Sequence, residues 1–359
     1  MTNAMVQNNF SKLEWQRFEQ IGAWAVLLGV FITLFGLSWD VQWHTDVGPD
    51  TFWTLPHIFV YTGAALTGAA ALTVVLLCTF AKEQRRAGWI PVFGFFYAPI
   101  GFIVAGFGAF GFLSFGLFDQ YWHLIFGFDV TISSPPHLGL ILSDVLSMVG
   151  CALIFVRGNK TQTIGISIAT ALAIAFSLPF MIAIFADFGL DIPLLGLQAL
   201  LIPLGMLFVV SSTRQPYAAL LMTVVLVAFR WLCELIFPSI TLAYAESLGL
   251  SLRDFASNQP ELPKLIPVLS PIAGLVVMGL LMVWKARGLP VLASVLLSGT
   301  IAAPLLYLDS SLIPIQGETA LLLIPFTLVG ALSAWLGWQL GVVARRSNAA
   351  INSLEQVNG

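Results

Sequence analysis

Residues 38–57 read SWDVQWHTDVGPDTFWTLPH, and residues 117–137 read LFDQYWHLIFGFDVTISSPPH. Aligning Asp40 with Asp119 brings Trp43 onto Trp122, His44 onto His123, Gly48 onto Gly127 and Asp50 onto Asp129. After a one-residue insertion, Pro56-His57 falls on Pro136-His137, which makes seven identities in all. The chain has four histidines, and all of them lie inside these two copies. Each copy is flanked on both sides by a long apolar run. The segments therefore read as the tips of two duplicated helical hairpins.

The rest of the chain sets the medium. Of 359 residues, 58% are hydrophobic and 9% charged, against about 25% charge in a soluble domain. Mean hydropathy is +0.92. So few charges cannot clothe a water-facing surface, so the composition predicts an all-α integral membrane protein. The net charge of −3 offers no field for a polyanion, so nucleic acid is excluded as a partner and the lipid bilayer is the expected one. Ten runs of spanning length are predicted: 21–40, 56–80, 90–118, 136–156, 163–186, 193–212, 216–238, 265–284, 289–308 and 320–343. The third is long and rich in Gly and Phe, which predicts a tilted or broken helix whose phenylalanines face lipid and core or line an apolar pocket.

Basic residues orient the spans. Lys12, Arg17, Lys82, Arg85, Arg86, Arg157, Lys160, Arg214, Lys285, Arg287, Arg345 and Arg346 fall on one side, 12 of the 15 Lys and Arg. This side is the cytoplasmic one, with both termini on it. The opposite loops are acidic and carry both histidine-bearing segments. No small-residue cleavage site precedes the first span, so that span is expected to be retained. The expected organisation is a cytoplasmic segment 1–20, two duplicated hairpins over 21–157, six further spans over 158–345 and a cytoplasmic tail 346–359. The setting is a bacterial-type inner membrane, with homo-oligomers or additional membrane subunits left open. Cys78, Cys151 and Cys233 sit in separate spans without a CxxC pair and read as packing residues.

Asp40 and His44 are four residues apart and share one face at a helix end, as do Asp119 and His123. The prolines before His57 and His137 suit the first turn of a returning helix. An antiparallel hairpin then gathers a carboxylate and two imidazoles. Asp40, His44 and His57 form one candidate metal set, and Asp119, His123 and His137 the other. Two imidazoles and a carboxylate suit copper, zinc or non-heme iron, with one or two ions in all. Asp50 and Asp129 read as extra ligands, as partners that orient an imidazole, or as loop caps.

The two sets resemble the metal-binding motifs of the C subunit of the copper membrane monooxygenases, the particulate methane and ammonia monooxygenase superfamily. That subunit carries an Asp-x3-His-x12-His set, matched by Asp40, His44 and His57. Its second set has x3 and x13 spacing headed by asparagine, matched by His123 and His137 with Asp119 at the asparagine position. The resemblance covers roughly residues 38–145. It implies copper near the outer face and oxidation of a small apolar substrate by O₂, in an assembly of several subunits.

Three further features stand out. Asp144 lies seven residues after His137 on the same helical face, about 10 Å deeper at 1.5 Å per residue. Glu234 lies four residues after Arg230 in the seventh span, either as half of an ion pair or facing the metal region. Asp144 and Glu234 are the candidate catalytic groups. The outer segment 239–263 is expected to form a short amphipathic helix covering the site. The favoured function is a metal-dependent membrane oxidoreductase. A metal-ion transporter or delivery protein is the alternative, although no chain of charged residues continues inward below Asp144. A heme protein with axial His57 and His137 ranks lower, because it leaves the paired Asp-x3-His motifs unexplained.

Overall fold

The computed structural model describes residues 12–48, 51–81, 86, 88–127, 132–157, 160–288, 290–310 and 323–357. Among these residues the chain forms ten α-helices. They are α1 (Lys12–Asp46), α2 (Leu55–Phe80), α3 (Ile100–Phe126), α4 (Pro135–Ile154) and α5 (Lys160–Asp187). Then follow α6 (Leu194–Thr213), α7 (Tyr217–Ser247), α8 (Ser270–Ala286), α9 (Val291–Ser310) and α10 (Leu323–Val357). Eight of them, α1–α7 and α10, are long and apolar enough to cross a membrane, while α8 and α9 are apolar but shorter. The protein is a multi-pass helical membrane protein.

Three expected boundaries change. The third span starts at Ile100 rather than at 90, and is an unbroken helix to Phe126. Residues 89–99 form an antiparallel hairpin instead, β1 (Trp89–Val92) against β2 (Phe96–Pro99). Two left-handed residues, Phe93 (φ 52°) and Gly94 (φ 77°), reverse the chain there. Pro91 and Pro99 disfavour helix on either side of the turn, and Tyr97 N–H is held by Thr79 Oγ1 of α2 at 2.9 Å.

The second change is at the C-terminal end of α1, which continues past 40 to Asp46, so Asp40 and His44 sit on continuous helix. The third concerns the covering segment. Residues 239–247 belong to α7, which runs through Pro238. The remainder, 248–269, crosses the histidine-bearing end of the bundle without an α-helix, with one 3₁₀ turn at Pro263–Leu265.

The duplication extends from the hairpin tips into the helix contacts. Asp40 and Asp119 set the offset between α1 and α3; His57 and His137 set that between α2 and α4. At those offsets Gly29 of α1 matches Gly108 of α3, and Thr67 of α2 matches Ser147 of α4. A Cβ on Gly29 would strike the Thr67 hydroxyl and the Gly63 carbonyl. A Cβ on Gly108 would strike the Ser147 hydroxyl and the Ser143 carbonyl, in the same register. Gly22 meets Val74 where Gly101 meets Ile154, again at matching positions.

Nearer the tips, the partners trade places. Gly36 of α1 lies against the backbone of α2 at Phe59 and Val60, whereas Gly139 of α4 lies against the Phe115 ring of α3. Small residues let the backbones approach, and close van der Waals contact is what holds helices together in lipid. The glycine of the pair changes helix between the copies, and each keeps a close contact.

These contacts generate a prediction. Gly29→Ala and Gly108→Ala each overpack the hairpin, at about 1–3 kcal/mol. A Cβ on Gly279 meets nothing within 4 Å, so Gly279→Ala is the control. Thermal melts in detergent are expected to show a lower Tm for both hairpin variants and none for the control.

Candidate metal centre

Each triad is assembled by one helix end and one helix start. Asp40 and His44 lie one turn apart on α1, and His57 is the third residue of α2. Asp119 and His123 lie one turn apart on α3, and His137 is the third residue of α4. Glycine terminates both ascending helices. Gly48 (φ 121°) and Gly127 (φ 87°) adopt a backbone that other residues rarely take. Their N–H groups donate to the carbonyls of Trp43 (3.1 Å) and His123 (3.0 Å). The returning helices start on prolines, Pro56 in α2 and Pro135-Pro136 in α4. Ser134 caps α4, its hydroxyl accepting from the His137 N–H at 3.4 Å.

The side chains converge in the same way in both copies. Asp40 Oδ1 lies 3.2 Å from His57 Nε2, and Asp40 Oδ2 lies 3.8 Å from His44 Nε2. Asp119 Oδ1 lies 3.3 Å from His137 Nε2, and Asp119 Oδ2 lies 3.2 Å from His123 Nε2. Within each triad one ligand atom per residue can be chosen so that all lie within 4.8 Å of one another. Two ligands at about 2.0–2.1 Å in a tetrahedral shell are themselves about 3.3 Å apart. The shorter separations match that spacing.

Hydrogen bonding fits that reading. Asp40 Oδ1 and Asp119 Oδ1 are buried and have no hydrogen-bond partner. Each faces an imidazole nitrogen without the geometry of a hydrogen bond, and buried polar atoms rarely stay unsatisfied. Behind the rings, His57 Nδ1 meets the Thr51 carbonyl at 3.1 Å and His123 Nδ1 meets the Gly127 carbonyl at 3.0 Å. A carbonyl at Nδ1 makes Nδ1 the protonated nitrogen and leaves the Nε2 lone pair for a metal. The donor set and the orphaned oxygens thus fit a cation in each triad.

Both triads open into one cavity of about 550 Å³. Leu37, Val60, Phe112 and Leu140 line it on the membrane side of the ligands, and Tyr61, Phe176 and Phe180 add aromatic walls. Of the phenylalanines expected from residues 93–118, Phe112 reaches the cavity. Phe107, Phe110, Phe115 and Phe118 are exposed on the helix bundle.

The two candidate catalytic acids lie elsewhere. Asp144 is buried in α4 and is not among the cavity lining; its Oδ2 has no hydrogen-bond partner. Glu234 is also outside the lining and pairs with Arg230 at 2.7 Å. Arg230 in turn donates to the carbonyls of Lys264 (3.2 Å) and Ile266, which ties α7 to the outer segment. This is the ion-pair arrangement. Asp50 and Asp129 lie outside the described residues.

Two residues that shape the mouth of the cavity carry no motif in the sequence. Arg253 lines it from the outer segment, and Asp46 anchors that segment. The available signal was charge placement, since Arg253 is one of three basic residues on the acidic side of the chain. Comparison with family models, curated proteins and solved structures finds no match to this chain.

Metal analysis follows directly. Protein purified in mild detergent and loaded with copper is expected to hold two ions per chain. His57→Ala and His137→Ala should each retain one, and the double variant none.

Proposed function

We propose that the protein is a metal-dependent membrane oxidoreductase that uses copper and O₂ to oxidise a small apolar substrate at the outer side of the membrane. The observation that carries this reading is the meeting of two matched Asp-His-His triads in one largely apolar cavity. In this reading α8 and α9 also cross the bilayer, giving ten spans, and both termini are cytoplasmic. The membrane is a bacterial-type inner membrane, and the site faces its extracytoplasmic side. The likeness of the motifs to the C subunit of copper membrane monooxygenases supports the choice of copper over iron or zinc. It also suggests that other subunits or further copies complete the assembly.

His44, His57, His123 and His137 would hold the metal through Nε2, and Asp40 and Asp119 would balance its charge. Copper, when bound, supplies one-electron redox chemistry toward O₂, which side chains alone lack. The carbonyls of Thr51 and Gly127 fix the rings of His57 and His123 from behind. Phe112, Phe176, Phe180 and Leu140 keep water from the inner part of the cavity and offer an apolar substrate a surface matched to it.

The alternative is a metal-ion transporter. A path needs a run of polar groups beyond the triads, but the lining on the membrane side is mostly apolar, Leu37, Val60, Phe112 and Leu140 with Tyr61 beside them. That apolar floor favours an ion that stays over one that passes.

The test compares two readouts on one preparation. Copper-loaded protein should consume O₂ when given a reductant and short-chain hydrocarbons. Asp40→Asn and Asp119→Asn should each lower that rate by tenfold or more (about 1.4 kcal/mol or more). Copper flux across proteoliposomes without O₂ uptake would contradict the oxidoreductase reading.

A further inference from the structure

Arg253 reaches the cavity from the segment that joins α7 to α8. A buried aspartate holds that segment in place. Asp46, fully buried at the end of α1, accepts from Gln42 Nε2 (3.0 Å) and from the Ser257 N–H (3.1 Å). Its backbone carbonyl accepts from the Arg253 N–H at 2.8 Å. The position matching Asp46 in the second copy is Ile125, so only one copy carries this clasp. The Arg253 guanidinium rests against Gly48, where a Cβ would lie 2.6 Å from Nη2. It sits over the Phe255 ring at 5.6 Å, and among the described residues no carboxylate pairs with it.

Depth along α1 orders the cavity. Leu37, Asp40, His44 and Gly48 follow one another at about one turn each, so the layer from Asp40 to Gly48 spans about 12 Å. Apolar side chains occupy the deep end, the triads the middle and Arg253 the mouth. A guanidinium offers a planar fork of donors that matches a carboxylate in two parallel hydrogen bonds. An arginine already satisfied by an acid would have no such role to fill.

We propose that the cavity binds an amphiphile, a molecule with an apolar tail and a carboxylate head, and that Arg253 holds the head. This refines the substrate class of the oxidoreductase reading, because the tail would then pass the triads on its way to the floor. The recognition itself needs only the cavity and Arg253, so it is testable without metal.

Radiolabelled octanoate is the probe, with octanol as its uncharged counterpart. Binding is measured to metal-free and copper-loaded protein in lipid nanodiscs, with empty nanodiscs subtracted. Octanoate is expected to bind both forms. Arg253→Gln should weaken octanoate by about tenfold or more while leaving octanol within about twofold, because one charge-assisted contact is lost. Arg253→Lys, which keeps the charge and loses the fork, should fall between. Among the described residues the side chain bears no load in folding through a hydrogen bond, and copper content of each variant reports an intact site. Octanoate binding no stronger than octanol, or unchanged in Arg253→Gln, would overturn the proposal. Octanoate binding confined to copper-loaded protein would also overturn it, by placing the carboxylate on the metal. A chain that takes up no copper yet binds octanoate through Arg253 would refute the metal reading and leave this one standing.

Discussion

A carboxylate set against an apolar bundle must find partners, because leaving it buried and alone costs several kcal/mol. Asp40 and Asp119 meet this constraint in the same manner. Each lies one turn from a histidine on its own helix and opposite a second histidine on the returning helix. The two oxygens of each carboxylate face one imidazole apiece. That arrangement requires the ascending helix to continue past the acid, the loop to close in a short span and the returning helix to begin beside it. Gly48, Gly127 and the N-terminal prolines of α2 and α4 supply those conditions. The hairpin geometry and the triad geometry are one requirement.

Deeper in the bundle a second constraint serves the first. The triads converge only if α1 and α2, and α3 and α4, stay closely packed down their length. Gly29 against Thr67 and Gly108 against Ser147 hold that spacing at equivalent heights. Where Gly36/Phe59 is exchanged for Phe115/Gly139, the glycine changes helix and each hairpin still keeps a close contact at that height. Divergence has also been unequal at the tips. Asp46 and its clasp belong to the first copy, and Asp144 to the second, where the matching residue is Ala64. The cavity therefore has two similar Asp-His-His walls, and the segment that carries Arg253 is clasped to the first copy alone.

Much of the site is legible in the sequence, for definite reasons. The i, i+4 spacing of Asp40 and His44 places them together on any helix, and a hairpin of that length returns His57 to the same end. Helix edges are less legible. Hydropathy falls where polar residues begin, but the backbone of α1 continues helical for six residues beyond 40. The run 89–99 is apolar enough to read as helix, and its two prolines and the Phe93-Gly94 turn make it a hairpin. That both triads face one cavity depends on how α2 packs against α3, which no local pattern encodes. Arg253 is illegible for the same cause: its place follows from Asp46, some two hundred residues away in the chain. The i, i+4 spacing of Arg230 and Glu234 favours their ion pair, but no local pattern encodes that Arg230 also bonds to the carbonyls of the segment after α7.

X-ray absorption at the copper edge tests the central claim most directly. If each triad holds one ion, the fine structure of the loaded protein will show about two imidazole nitrogens and one carboxylate oxygen per copper. His44→Ala with His123→Ala will remove the imidazole scattering together with the metal. A sulfur shell, or oxygen neighbours without imidazole, would place copper elsewhere and contradict the account.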